Sequence, residues 1–125
     1  MAELEQITEK AEGGDAQAQL ELARRYDRGD GVEASPRFAM LWYKKAAEAG
    51  EPRAQRRLGD MYHDGEGVLQ DYKMALEWYQ RAAEQGDASA MSALGRAYQN
   101  GEGVSPSEKQ ARQWFDRAKE SGGEA

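Results

Sequence analysis

Asp60, His63 and Asp64 are the side chains in this 125-residue chain whose types and spacing come nearest to a reactive centre. The two aspartates stand one helical turn apart, and with the imidazole they could offer three ligands to a divalent cation or set a base beside an acid. Neither device is complete. His63 is the only histidine, cysteine is absent, and no serine or lysine has a second histidine or an evident base beside it, so hydrolase chemistry lacks its parts. The Gly-x-Gly steps at Gly29-Asp30-Gly31, Gly65-Glu66-Gly67 and Gly101-Glu102-Gly103 have the look of phosphate cradles but lack the lysine of a P-loop. A series of tryptophans and tyrosines could serve as a stacking platform for sugars or bases. What remains is a set of arginines, whose planar forks suit carboxylates.

The positions of these residues obey a rule that catalysis does not require. Trp42, Trp78 and Trp114 are 36 residues apart, as are Tyr26, Tyr62 and Tyr98, Gly29, Gly65 and Gly101, Val32, Val68 and Val104, and Ala39, Ala75 and Ala111. Agreement at so many unlike residues, with no insertion, marks an array in which each unit completes its neighbour's core. His63 aligns with Asp27 and Gln99, so the scaffold itself has no need of an imidazole there. No catalytic, cofactor or metal residue is assigned.

Composition sets further bounds. The length suits one continuous core. Charged residues make up 32% of the chain and aromatics 9%, yet the aromatics recur periodically, which argues against disorder away from the ends. A formal net charge of -6 disfavours nucleic acid and anionic membranes as partners. The N-terminal Met1-Ala2-Glu3-Leu4-Glu5 lacks the basic start and apolar run of a secretory signal. The expected compartment of the chain as written is the cytoplasm, or the periplasm if a signal has been removed.

Within each unit, Gly14-Asp15, Gly50-Glu51 and Gly86-Asp87 end one helix and begin the next; Asp15 and Asp87 are suited to N-caps and Pro52 to a first turn. Ala18, Leu22 and Tyr26, with their counterparts Ala54, Leu58, Tyr62 and Ala90, Leu94, Tyr98, form one apolar stripe on a first helix. The small residue beside each leucine, Ala23, Gly59 or Gly95, is expected to let another helix come close. Two glycines then reverse the chain, and valine re-enters the core. Ser35, Asp71 and Ser107 are candidate N-caps of the second helix, with Ser105-Pro106 an alternative start in the third unit. Ala39, Trp42, Tyr43, Ala46 and Ala47 give that helix a broad apolar face, so core packing is the reading of the aromatic series.

The expected layout is an N-terminal capping helix over 3–13, units over 14–49, 50–85 and 86–121, and a frayed tail over 122–125. The third unit carries Phe115 in place of Tyr and Lys119 in place of Ala, which fits an end on which nothing stacks. The expected state is a monomer, with weak end-to-end contact conceivable through Phe115.

The Ala…Leu-Gly…Tyr helix, the Gly-acidic-Gly-Val turn and the Ala…Trp-Tyr…Ala-Ala helix resemble the Sel-one-like repeat (SLR) family, relatives of tetratricopeptide repeats, over about residues 14 to 121. The resemblance implies an all-α, right-handed superhelical solenoid of antiparallel helix pairs with first helices lining its concave side, and adaptor roles in bacterial signalling, secretion and envelope processes. Mapped onto tetratricopeptide geometry, Gln17, Leu20, Arg24, Asp27, Arg28, Arg53, Arg56, Asp60, His63, Asp64, Ser89, Ser92, Arg96, Gln99 and Asn100 fall on the concave face. Five of these are arginines and three aspartates, giving +2 on a chain of -6. The expected activity is non-catalytic binding of another protein, through an acidic segment or C-terminus, with Arg24, Arg53, Arg56 and Arg96 as its centre. Three other roles stay open at this point: an immunity or inhibitor protein covering a basic effector, an engineered or consensus-like array without a ligand, and a hydrolase of cell-wall-related substrates.

Overall fold

A computed structural model describes residues 2–122, and among them there are seven helices and no strand. They are α1 (Ala2–Glu12), α2 (Ala16–Arg28), α3 (Pro36–Glu48), α4 (Pro52–Asp64), α5 (Tyr72–Glu84), α6 (Ala88–Asn100) and α7 (Glu108–Glu120). Each helix packs on the next in sequence, which makes an all-α solenoid of three hairpins, α2–α3, α4–α5 and α6–α7, with α1 laid against α2. Of the tail expected over 122–125, residues 123–125 lie outside the described residues.

The helix ends are built as the sequence suggests. Asp15 and Asp87 accept the backbone N–H of Ala18 and Ala90 at 3.0 and 2.9 Å. Ser35, Asp71 and Ser107 cap the second helices, which settles the third unit in favour of Ser107 over Ser105. Glu51 also caps, folding back to accept the N–H of Arg53 at 3.0 Å. Gly29, Gly65 and Gly101 end the first helices in the left-handed conformation.

Three clusters of buried side chains run along the solenoid. Ala11, Ala18 and Leu22 join α1 to α2; Leu20, Tyr43, Leu58, Met61 and Trp78 fill the middle; Tyr79, Met91, Leu94 and Ala118 close the far end. Trp78 is 6% exposed, whereas Trp42 and Trp114 are half-buried against their clusters. The small residues of the first helices have the purpose read from the sequence. A Cβ on Gly59 would lie 2.5 Å from the Tyr79 ring, and one on Gly95 2.6 Å from Phe115, so the second and third hairpins close onto a bare backbone. Gly67 and Gly103 serve a different approach, of a turn onto the preceding unit. Both have positive φ, and an added Cβ would meet Pro36 and Leu76 respectively at 2.9 Å.

The second helices carry a ladder with no counterpart in the sequence reading. Lys45, Arg81 and Arg117 lie over the rings of Trp42, Trp78 and Trp114 at 5.8, 4.5 and 4.4 Å, one turn along each second helix. Such contacts contribute about 0.5–1 kcal/mol each where exposed.

Candidate functional site

The first helices bring most of the expected face together in two pockets built on the same plan. The first, of about 200 Å³, is lined by Leu20, Arg24, Asp27, Arg28, Tyr43, Arg53, Arg56 and Arg57. The second, of about 220 Å³, is lined by Asp60, His63, Asp64, Tyr72, Ala75, Leu76, Tyr79, Ala93, Arg96, Ala97 and Glu102. Adding 36 to Arg24, Asp27, Arg28, Tyr43 and Arg57 gives Asp60, His63, Asp64, Tyr79 and Ala93, all of which line the second pocket.

In the first pocket, Asp27 is the hub. Arg57 grips it with two bonds, Nε to Oδ2 at 2.9 Å and Nη2 to Oδ1 at 3.1 Å, and reaches Glu66 with two more at 3.2 Å. The Tyr43 hydroxyl donates to Asp27 at 2.9 Å. Burial pushes the Asp27 carboxyl up, but the bonds from Arg57 and Tyr43 outweigh it and hold the pKa below the ordinary aspartate range. Burial and the same carboxylate push the Tyr43 phenol up, so it stays a donor.

Beside this hub, Glu51 is 8% exposed and fully occupied. It accepts from the Arg53 side chain at 3.0 Å and from Gln17 Nε2 at 2.9 Å, and the bond from Arg53 is the main cause of its lowered pKa. Arg56 reaches Asp87 at 3.4 Å. Arg24 and Arg28, by contrast, make no hydrogen bond or ion pair among the described residues.

The second pocket has the opposite character. The Tyr79 hydroxyl donates to Asp60 at 2.6 Å, and His63 lies between Asp64, 2.8 Å from Nδ1, and Glu102, 3.0 Å from Nε2. Its ring rests on Tyr72 at 5.2 Å. The bond to Asp64 first, and then the one to Glu102, raise the imidazole pKa against the opposing effect of burial. Arg96 is the one arginine among the lining residues. Among the described residues no group of three or more His, Asp or Glu side chains is arranged to hold a metal ion.

Two of the expected contact residues need correction. Leu20 is 2% exposed and belongs to the middle core cluster with Ala54, Leu58 and Met61 of α4; it lines the first pocket but offers almost no free surface. Ser92 is 6% exposed. Both align with Arg56, whose longer side chain reaches out of the same recess to 31% exposure. Gln99 lies apart, on a shallow surface with Arg112 and Phe115, and Ser89 and Asn100 are exposed beyond both pockets. Arg57, Tyr43, Tyr79 and Glu102 were missed as pocket residues. For Arg57 the signal was the change of residue type at aligned positions, Glu21, Arg57 and Ala93; Tyr43, Tyr79 and Glu102 repeat the type of their aligned residues and gave no such signal.

The Sel1 repeat family model matches residues 16–51, 52–87 and 88–123. The chain is similar to a Sel1 repeat protein from Oxalobacter formigenes whose crystal structure is known, with 42% identity and a TM-score of 0.88 over 99% of this chain and 93% of that one. It is also similar to c5321, a protective antigen of uropathogenic Escherichia coli with an SLR fold, at 37% identity and TM-score 0.74, covering 95% of this chain and 33% of that one. Helicobacter pylori cysteine rich protein B matches at 25% identity and TM-score 0.74, over 97% and 92% of the two chains. No curated protein gives a significant match.

Proposed function

The chain belongs to the Sel1 repeat family, whose members generally serve as protein-interaction modules, and on that premise we propose that it is a non-catalytic adaptor. Its groove, lined by α2, α4 and α6, holds a peptide, loop or small domain of another protein through an acidic segment or C-terminus. The observation that carries this reading is Arg24 and Arg28. They flank a pocket with three further arginines, yet no carboxylate of the described residues pairs with either. Arg28 feels the charge of Asp27 but no carboxylate bonds to its fork or to that of Arg24, so both forks are available to an incoming carboxylate, which each can meet with two bonds. Of the four arginines expected as the centre, Arg53 and Arg56 are engaged by Glu51 and Asp87 and Arg96 stands among the carboxylates of the second pocket, so the reading centres on Arg24 with Arg28 beside it.

The test is capture of proteins from bacterial lysate and envelope extract at low salt, comparing the natural chain with an Arg24→Glu, Arg28→Glu variant. A protein retained by the natural chain and lost by the variant supports the groove; equal recoveries remove it.

A second reading is a cognate inhibitor of a basic effector. With +2 on the expected face and -6 overall, the rest of the chain carries -8, a surface suited to a cationic partner. That reading predicts a basic protein in the capture whose retention is unaffected by the Arg24 and Arg28 substitutions.

A further inference from the structure

We propose that the groove has a fixed electrical direction and takes a bipolar segment of another protein, its carboxylates over Arg24 and Arg28 and its lysine or arginine side chains over the second pocket. This rests on the reading of the groove as a protein-binding face and adds the chemistry of the partner and the way round it lies.

The repeat makes the two pockets equivalent in position. The pockets share a tyrosine, Tyr43 or Tyr79, whose hydroxyl is held by an aspartate of the same hairpin. Arg24 is replaced by Asp60 and Arg28 by Asp64 at the aligned positions. The fold therefore accepts either sign there, and the inversion is a property of this sequence and not of the scaffold. In the first pocket five arginines meet Asp27, with Glu51, Glu66 and Asp87 paired to three of them from beside it, which leaves an excess of one positive charge; in the second, three carboxylates meet one arginine and His63, which leaves an excess of negative charge.

The walls differ in the same sense. Apart from Leu20 and Tyr43 the first pocket is walled by charged side chains, which suits a short carboxylate. The second adds Tyr72, Leu76 and Ala93 to its acidic lining, some apolar surface against which the methylene stem of a long cationic side chain can rest. A segment laid the wrong way round would set its acids against Asp60, Asp64 and Glu102 and its cations against Arg24 and Arg28, so repulsion at both ends rejects that orientation.

The experiment uses the full chain and a short synthetic peptide with aspartates at one end, a Gly-Ser spacer and lysines at the other, carrying a nitroxide on either end. The readout is the loss of amide NMR signal near the label at low ionic strength, where the Debye length is long. The expected result is loss around Arg24 and Arg28 with the label on the acidic end, and around Asp64 and Arg96 with the label on the basic end. A variant that exchanges the aligned residues, Arg24→Asp, Arg28→Asp, Asp60→Arg and Asp64→Arg, keeps the composition and reverses the pattern. Should that variant not fold, exchanging Arg28→Asp and Asp64→Arg alone weakens the end preference without touching the Tyr79–Asp60 bond.

Signal loss that is the same for both labels, or that falls outside the groove, overturns the inference. If the labels show no preference while the capture still returns a protein lost on reversing Arg24 and Arg28, only the direction fails and the protein-binding reading stands. If the capture also returns nothing, both fail.

Discussion

Gln19 and Gln55 occupy aligned positions and do the same work, each donating its amide to the carbonyl of the preceding helix, Ala11 or Ala47, at 3.1 Å. Their oxygens fare differently. Gln55 Oε1 accepts from Gln85 at 2.9 Å, whereas Gln19 Oε1 is buried with no partner in the structure, because the residue aligned with Gln85 is Ala49. Replacing Ala49 with Gln should supply the missing donor and stabilise the fold by about 1 kcal/mol, the usual net value of a hydrogen bond. Urea unfolding checks this: the midpoint rises while the slope is unchanged, and an unchanged midpoint would contradict it. His63 gives a prediction in pH. Asp64 and Glu102 face its two nitrogens and raise its folded pKa, so the protonated ring stabilises the fold. That contribution is whole below the unfolded pKa of about 6.5 and is lost as pH rises through the folded value. His63→Gln should flatten the stability profile in that window, and an NMR titration of the imidazole should place its midpoint above the ordinary value. At this scale the sequence was least readable. The alignment named Arg53 and Arg56 as surface cations, but their partners Glu51 and Asp87 are reached through the fold of a cap and the packing of one unit on the next, which no stripe or period encodes.

At the scale of helices and turns the reading from sequence was close to the structure, since caps, glycine turns and small-residue positions are local or strictly periodic signals. Gly59 shows how a tertiary contact can oppose local propensity. Inside a helix, alanine is favoured over glycine by about 1 kcal/mol. At this position its methyl would stand 2.5 to 2.6 Å from Tyr79 Cε1 and Cδ1, and the ring is held in place by the bond to Asp60. Gly59→Ala should therefore lower stability by about 1–3 kcal/mol, the typical cost of overpacking. A melting temperature that rises would mean the α4–α5 hairpin is looser than its geometry implies. The cation–π ladder was not read beforehand, although Lys45, Arg81 and Arg117 are aligned. A charge one turn from a tryptophan is an ordinary solvated residue until the side chains are seen to stack.

For the whole molecule, the 36-residue period identified the solenoid, and tetratricopeptide geometry placed most of the expected face around the two pockets. It also misjudged depth, since Leu20 and Ser92 lie in a recess that only a residue as long as Arg56 leaves. A sum of charges over the face hid the more informative fact, that equivalent pockets have opposite sign. On the proposed reading first helices, not second helices, form the working surface of this chain. The most direct measurement is hydrogen exchange of the full chain with and without the protein recovered by capture. Slowed exchange is expected on α2, α4 and α6 and the turns beside them alone, strongest around Arg24 and Arg28; slowed exchange on α3, α5 and α7 with the first helices unchanged would overturn this reading.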